Sequence, residues 1–139
     1  MPSVFSRIIA GEIPCHRVGS SARWVAFLDI NPVAPGHTLL VPVHEAGLLA
    51  GLPPATLAEL GPMLARTIAA VKAASAAPAV NVIVNDGREA GQEVPHAHLH
   101  IIPRRDGDGQ RIGLRHARGE AAALAAMAAQ VAAAWAAQP

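Results

Sequence analysis

The sequence predicts an α+β domain built on an antiparallel sheet, and three observations carry that prediction. Several short runs rich in β-favouring residues are separated by Gly, Pro and Ser turn signals. One long helical segment, from Pro53-Pro54 to about Ser75, interrupts them once. The third observation is Pro95-His96-Ala97-His98-Leu99-His100-Ile101-Ile102-Pro103, in which histidines alternate with small and apolar residues. A period of two belongs to a strand, so the three imidazoles share one face and Ala97, Leu99 and Ile101 the other. Strands joined by hairpins around one inserted helix make an α+β architecture.

Composition sets the bounds. A chain of 139 residues with 52% hydrophobic content is the right size for one domain, 1–139, with a real core. A formal net charge of +1 and 15% charged residues argue against nucleic acid or an acidic membrane surface as partner. Cys15 is the only cysteine, so no intrachain disulfide forms, which fits a reducing compartment. Met1-Pro2-Ser3 lacks the basic region of a signal peptide, and the expected location is cytoplasmic.

The elements follow in order. Ser3 can cap a short helix through Ala10, with Gly11 as its stop and Phe5 and Ile8 on one face. Glu12-Ile13-Pro14 turns the chain into an edge strand, Cys15 to Val18, and Gly19-Ser20-Ser21 into the next turn. Ala22 to Ile30 reads as a strand ending at Asp29, where Asn31-Pro32 suits an Asx-type turn. Pro35-Gly36 punctuates the chain before the strand His37 to Val43, and His44 beyond Pro42 has no evident role.

The long helix carries Leu57, Leu60, Leu64, Ile68 and Val71 at helical spacing, which predicts one buried stripe. Lys72 near its end suits the helix dipole. Val80 to Val84 is a short strand that delivers Asn85 to a polar loop, Asn85 to Glu93, too long for a simple hairpin. Arg104 to Arg111 is a polar loop, and 119–138 an alanine-rich helix. Its uncharged run from Ala121 to Ala137 falls short of the ~20 residues of a membrane span. Leu124, Met127, Val131 and Trp135 form a stripe expected to pack on the domain or on a second subunit.

Three histidines on one face suggest a metal, but geometry limits this. At about 3.3 Å per residue, His96 and His100 stand about 13 Å apart, against a Zn–N bond of about 2.0 Å. Two neighbours could share an ion, though hardly all three, so the roles are unlike and His98 is the most central. An imidazole beside a glycine-containing loop points to attack on phosphorus, because such loops offer N–H groups to phosphate oxygens and histidine is an accepted nucleophile. A metal-dependent hydrolase lacks an evident carboxylate or cysteine ligand near the triad. An idle nucleotide-binding module would be favoured had His98 been replaced.

His96 to Ile102 resembles the defining motif of the histidine triad (HIT) superfamily of nucleotidyl hydrolases and transferases. Asn85-Asp86-Gly87 through Gly91-Gln92 to Val94 is similar to the loop before it. Asp29-Ile30-Asn31-Pro32 with Pro35 to Pro42 is similar to the family's second block, and Val4 to Pro14 to its opening. The likeness runs over residues 3–105 in the family's order.

It implies a five-stranded antiparallel sheet with one long helix and a C-terminal helix, and a homodimer. It implies His98 as nucleophile on the α-phosphorus of an AMP or GMP conjugate, with its other nitrogen held by the His96 carbonyl. His100 and the N–H groups around Gly91, Gln92, Glu93 and Val94 would stabilise phosphate charge, and Asn85 would donate to the phosphate or leaving side. His96 and His37 would orient the rings. Asp29 would hold ribose, with Phe5, Ile8, Phe27, Leu28 and Ile30 around the base. A phosphoramidate is the favoured substrate and a dinucleoside polyphosphate the alternative, with the choice of leaving group assigned to residues of the Arg104 to Arg118 loop or of a partner subunit. No metal ligand and no required cofactor are expected, although magnesium could accompany a polyphosphate. Many bacterial members hold a structural zinc through Cys-X-X-Cys; Ser3 and Ser6 stand there, so no such zinc is expected. Glu93 stands where better-studied members carry Ser or Thr.

Overall fold

A computed structural model describes residues 1–139. Its elements are α1 (Val4–Ile9), β1 (Arg17–Ser20), β2 (Trp24–Leu28), β3 (Thr38–Pro42), α2 (Pro54–Ser75), β4 (Ala79–Val84), β5 (Leu99–Arg104) and α3 (Ala121–Ala136). The strands form one five-stranded sheet in the order β1-β2-β3-β5-β4. Every neighbouring pair is antiparallel.

Alternation along the strands sorts the side chains into two cores. Trp24, Ala26, Leu40, Leu99 and Ile101 point to the face covered by α2, and Val71 and Leu52 join them. Val25, Phe27, Leu39 and Val41 point to the other face, where Phe5 of α1 packs on them. Leu40 and Ile101 have no exposed surface, and each contributes about 1.5–3 kcal/mol by burial. The Trp24 indole N–H donates to the Thr56 carbonyl at 2.9 Å, which ties β2 to the start of α2.

The register then builds the functional face. Phe27 pairs with Leu39, Leu39 with His100, and His100 with Ile83, so one row of side chains crosses four strands. The adjacent row, Ala26, Leu40, Leu99 and Val84, belongs to the α2 core. A slip of one residue in β5 would bury the imidazoles under α2.

Several boundaries differ from expectation for identifiable reasons. β1 starts at Arg17, and Gly19 sits at an irregularity within it, so the turn moves to Ser21. The Ser21 hydroxyl accepts the N–H groups of Arg23 and Trp24 there. β5 starts at Leu99, because the N–H groups of His96 and Ala97 go to the carbonyls of Val94 and Ala46 outside the ladder. Pro103 lies inside β5, not at its end. β3 stops at Thr38, opposite Ile101, so Pro103 has a strand on only one side and no donor is missed.

In α2, Leu57 is exposed and the buried positions are Thr56, Thr67 and Val71. Thr67 tolerates burial because its hydroxyl donates back to the Met63 carbonyl at 2.7 Å. Pro62 lies on the solvent side of α2, which continues through it. The Glu120 carboxylate caps α3 by accepting the N–H groups of Ala122 and Ala123. Leu124, Met127, Val131 and Trp135 do not pack on the domain: all four are exposed, Trp135 at 80%. No helix is long and apolar enough to cross a membrane.

Candidate active site

The row Phe27-Leu39-His100-Ile83 floors a cleft of about 990 Å³. Its apolar end is formed by Phe5, Ile8, Phe27, Leu28 and Ile30. Phe5 and Phe27 are buried and meet edge to face at 5.7 Å, whereas Ile30, at 85% exposure, stands at the mouth. Asp29 and His37 occupy the middle, and His98, His100, Asn85, Gly91, Glu93 and Val94 line the polar end.

Two expected residues do not line the cleft. The Gln92 side chain turns into its own loop, accepting the Gly87 N–H and donating to the carbonyls of Gly47 and Val94. His96 is fully buried beneath the site. The N–H groups of Gly91 and Gln92 are also committed, to the carbonyls of Arg88 and Gly87. Those of Glu93 and Val94 have no partner within the chain and remain available to an anion. The Asn85 amide lies 3.5 Å from the Gly91 carbonyl, a long contact that leaves it free to turn.

Hydrogen bonds assign the proton on each ring. The Val33 N–H donates to His37 Nδ1 at 3.1 Å, so the proton of a neutral His37 is on Nε2. That N–H donates to His100 Nδ1 at 2.9 Å, which places the His100 proton on Nε2. His98 Nδ1–H donates to the His96 carbonyl at 2.7 Å, which leaves Nε2 as its basic nitrogen. His96 Nε2–H donates to the Pro42 carbonyl at 2.8 Å, and its Nδ1 accepts from the Ser3 hydroxyl at 2.7 Å. Neither His98 Nε2 nor His100 Nε2 has a partner, yet no buried side-chain nitrogen is left unpaired. Both atoms therefore reach the solvent of the cleft: a lone pair on His98 beside a donor on His100. Their rings are 5.0 Å apart.

Burial favours the neutral forms of His37, His96 and His100. It lowers the pKa of His100 from 6.5 to about 4, helped by the imidazoles of His98 and His37 and opposed by Asp29. Burial lowers His37 as well, against the pull of Asp29. It lowers His96 against the Pro42 carbonyl and Glu45.

Asp29 corrects the expectation that no carboxylate lies near the histidines. One oxygen accepts the Asn31 N–H at 2.8 Å, the anticipated Asx turn, and the other lies 3.5 Å from His37 Nε2. Asp29, His37 and His100 each offer an atom within 4.8 Å of the others, a spacing that would admit a metal. The protonation pattern opposes this use. His37 would have to surrender its Nε2 proton, and the Val33 N–H blocks its transfer to Nδ1.

Some lining residues were not anticipated. Leu39 and Ile83 follow from alternation, two positions after His37 and two before Asn85. Gln110, Arg111 and Ile112 belong to the Arg104 to Arg118 loop expected near the leaving group, but no local signal singles out these three. They reach the cleft because the Gln110 amide donates to the Val33 carbonyl at 2.7 Å and folds the polar loop over it.

Known proteins share this sequence pattern and this fold. The HIT domain family model matches residues 10–107. An uncharacterized HIT-like protein of Mycobacterium tuberculosis is 43% identical over 108 residues, 78% of this chain and 75% of that one. Adenosine 5'-monophosphoramidase of Candida albicans is 35% identical over 107 residues, 74% of this chain and 70% of that one. A solved structure of a hypothetical protein from Leishmania major superposes with a TM-score of 0.85 at 38% identity, covering 96% of each chain. With the triad strand, the five-stranded sheet and the matched domain in agreement, the chain belongs to the HIT domain family.

Proposed function

We propose that the protein is a nucleotidyl hydrolase that cleaves nucleotide conjugates at the α-phosphate through a covalent intermediate on His98, with purine nucleoside phosphoramidates as the favoured substrates. The observation that carries this reading is the unpaired Nε2 of His98 in the cleft, its Nδ1–H held by the His96 carbonyl at 2.7 Å. A nucleophilic imidazole needs that tautomer.

The nucleoside lies with its base among Phe5, Ile8 and Phe27 and its ribose hydroxyls on Asp29. As the bond from His98 Nε2 to the α-phosphorus forms, the phosphorus–nitrogen bond breaks and the amine leaves with a proton from solvent. Water then attacks the nucleotidyl-histidine, the bond to Nε2 breaks, and the proton released by water balances the one taken up. Charge that grows on the phosphate oxygens meets His100 Nε2–H and the N–H groups of Glu93 and Val94, donors already in place. Asn85 donates beside them. The phosphoramidase relative supports the amine leaving group. A dinucleoside polyphosphate, accompanied by magnesium, would use the same nucleophile with a different leaving group. We take the working form to be a homodimer, which the exposed stripe of α3 supports.

The test is intact-protein mass after brief incubation with an adenosine phosphoramidate or a diadenosine polyphosphate, quenched at neutral or alkaline pH with EDTA present. An added nucleoside monophosphate on the wild type but not on His98→Ala is the expected result. Turnover that survives His98→Ala would overturn the nucleophile assignment. Phosphoramidate turnover abolished by EDTA would move the chemistry to a metal.

A further inference from the structure

The cleft explains His98, His100, His37 and Asp29, but a second polar cluster lies beneath it. Glu45 follows the end of β3 and reaches the N-terminus of α1. Both its oxygens lie within 3.2 Å of the Ser3 backbone N–H, and Oε2 also accepts the Ser6 hydroxyl. The Ser6 N–H donates to the Ser3 hydroxyl oxygen at 3.0 Å, the capping bond of α1. The Ser3 hydroxyl is 2.7 Å from His96 Nδ1 and 3.3 Å from the Ser6 hydroxyl.

We infer that Glu45 is a positioning residue for the His98 nucleophile, acting through Ser6, Ser3 and His96. An ionised carboxylate accepts only, so it accepts the hydrogen bond of the Ser6 hydroxyl and withdraws Ser6, 3.5 Å from His96 Nδ1, as a competing donor to His96. The Ser3 hydroxyl is thereby directed at His96 Nδ1. His96, gripped on its other side by the Pro42 carbonyl, presents its own carbonyl to His98 Nδ1–H. The hydrogen bonds from Ser6 and Ser3 also hold the Glu45 carboxyl below its ordinary pKa, which keeps the acceptor ionised.

A second connection runs through packing. Glu45 anchors the start of α1, and α1 carries Phe5. The Phe5 ring meets His98 edge to face at 5.0 Å and His96 at 5.9 Å. Loss of the anchor loosens the ring that confines both imidazoles. Glu45 lies outside the triad strand and does not line the cleft, so its substitution removes no side chain that touches the substrate.

This inference rests on the proposed role of His98, and its test separates the two. Glu45→Ala, Glu45→Gln and Ser6→Ala are compared with wild type by steady-state phosphoramidate cleavage and by ¹⁵N–¹H correlation of the histidine ring nitrogens. Glu45→Ala should lower kcat about tenfold with KM within about twofold. It should also replace the single Nδ1–H form of His98 by a mixture of tautomers. Glu45→Gln, whose amide oxygen can stand in for Oε2, should recover most of both. Should Glu45→Ala fail to fold, Ser6→Ala keeps both Ser3 N–H bonds to Glu45 and removes the competing donor outright, so it should leave the His96 and His98 ring signals as in wild type, and a mixture of His98 tautomers there would equally overturn the inference. Unchanged ring signals in Glu45→Ala, or Glu45→Gln as impaired as Glu45→Ala, would overturn the inference. A wild type without phosphoramidate turnover would sink the proposed activity, while the ring spectra would still decide the role of Glu45.

Discussion

Acidification removes a defined part of the stability of this fold. Burial is the first cause of the lowered pKa values of His37, His96 and His100, and His100 falls from 6.5 to about 4. A group held below its unfolded pKa takes up its proton more readily in the unfolded chain. Its contribution is therefore complete above the unfolded value near 6.5 and is lost as pH falls through the folded value of about 4. At about 1.4 kcal/mol per pH unit, the fall from 6.5 to about 4 corresponds to roughly 3 kcal/mol, which partial solvent exposure of the ring reduces to about 2 kcal/mol. The local cause is visible: a proton added to His100 Nδ1 would face the Nε2–H of His37. Urea unfolding of wild type and His100→Gln at about pH 7.5, 6, 5 and 4.5 measures the effect, and carboxylate titrations common to both proteins cancel in the difference. Wild type should lose about 2 kcal/mol more than the variant across that range. Equal losses would refute the neutral His100, accepting from His37, that the proposed mechanism uses as a donor to the phosphate.

Two further predictions concern the cleft and the core. Asp29→Ala should raise KM for ribonucleotide conjugates about 10- to 100-fold, the worth of hydrogen bonds to a charged acceptor. A 2',3'-dideoxy substrate should be almost insensitive to the change; an equal loss with both substrates would remove Asp29 from the ribose. Leu40→Ala, at a position with no exposed surface in the α2 core, should cost about 2–5 kcal/mol in urea or thermal unfolding. A cost below about 1 kcal/mol would show that the packing at the centre of the sheet is misjudged.

The legible parts of the fold were those in which one physical signal dominated. Pro53-Pro54 and the apolar spacing marked α2 to within a residue. Alternation of His98 and His100 with Leu99 and Ile101 put the imidazoles on one face and the aliphatics under α2. Leu57 misled because the helix centres its buried face on Thr56 and Thr67, whose polarity hides them until the back-bond of Thr67 is seen. The expected bracketing by Pro103 failed because the length of β3, which decides whether a proline is tolerated beside it, is a tertiary property. Gln92 was drawn into the site by its position in the loop motif, but its amide serves the loop itself. The 104–118 loop was expected near the leaving group, but Arg111 within it and Glu45 could not be singled out, because their places depend on contacts with residues far away in the chain.

The neutral imidazoles have a consequence for how a ligand is captured. At neutral pH the formal charges around the cleft are the carboxylates of Asp29 and Glu93 and the guanidinium of Arg111, leaving a balance of minus one. These lining charges therefore give an approaching phosphate no net attraction, and steering of the kind that basic clefts provide does not come from them. Recognition begins only at contact, through dipoles whose reach is shorter than a Debye length of about 8 Å at physiological salt. Such a site trades speed of encounter for indifference to ionic strength, and it discriminates among anions by shape and hydrogen-bond pattern more than by charge.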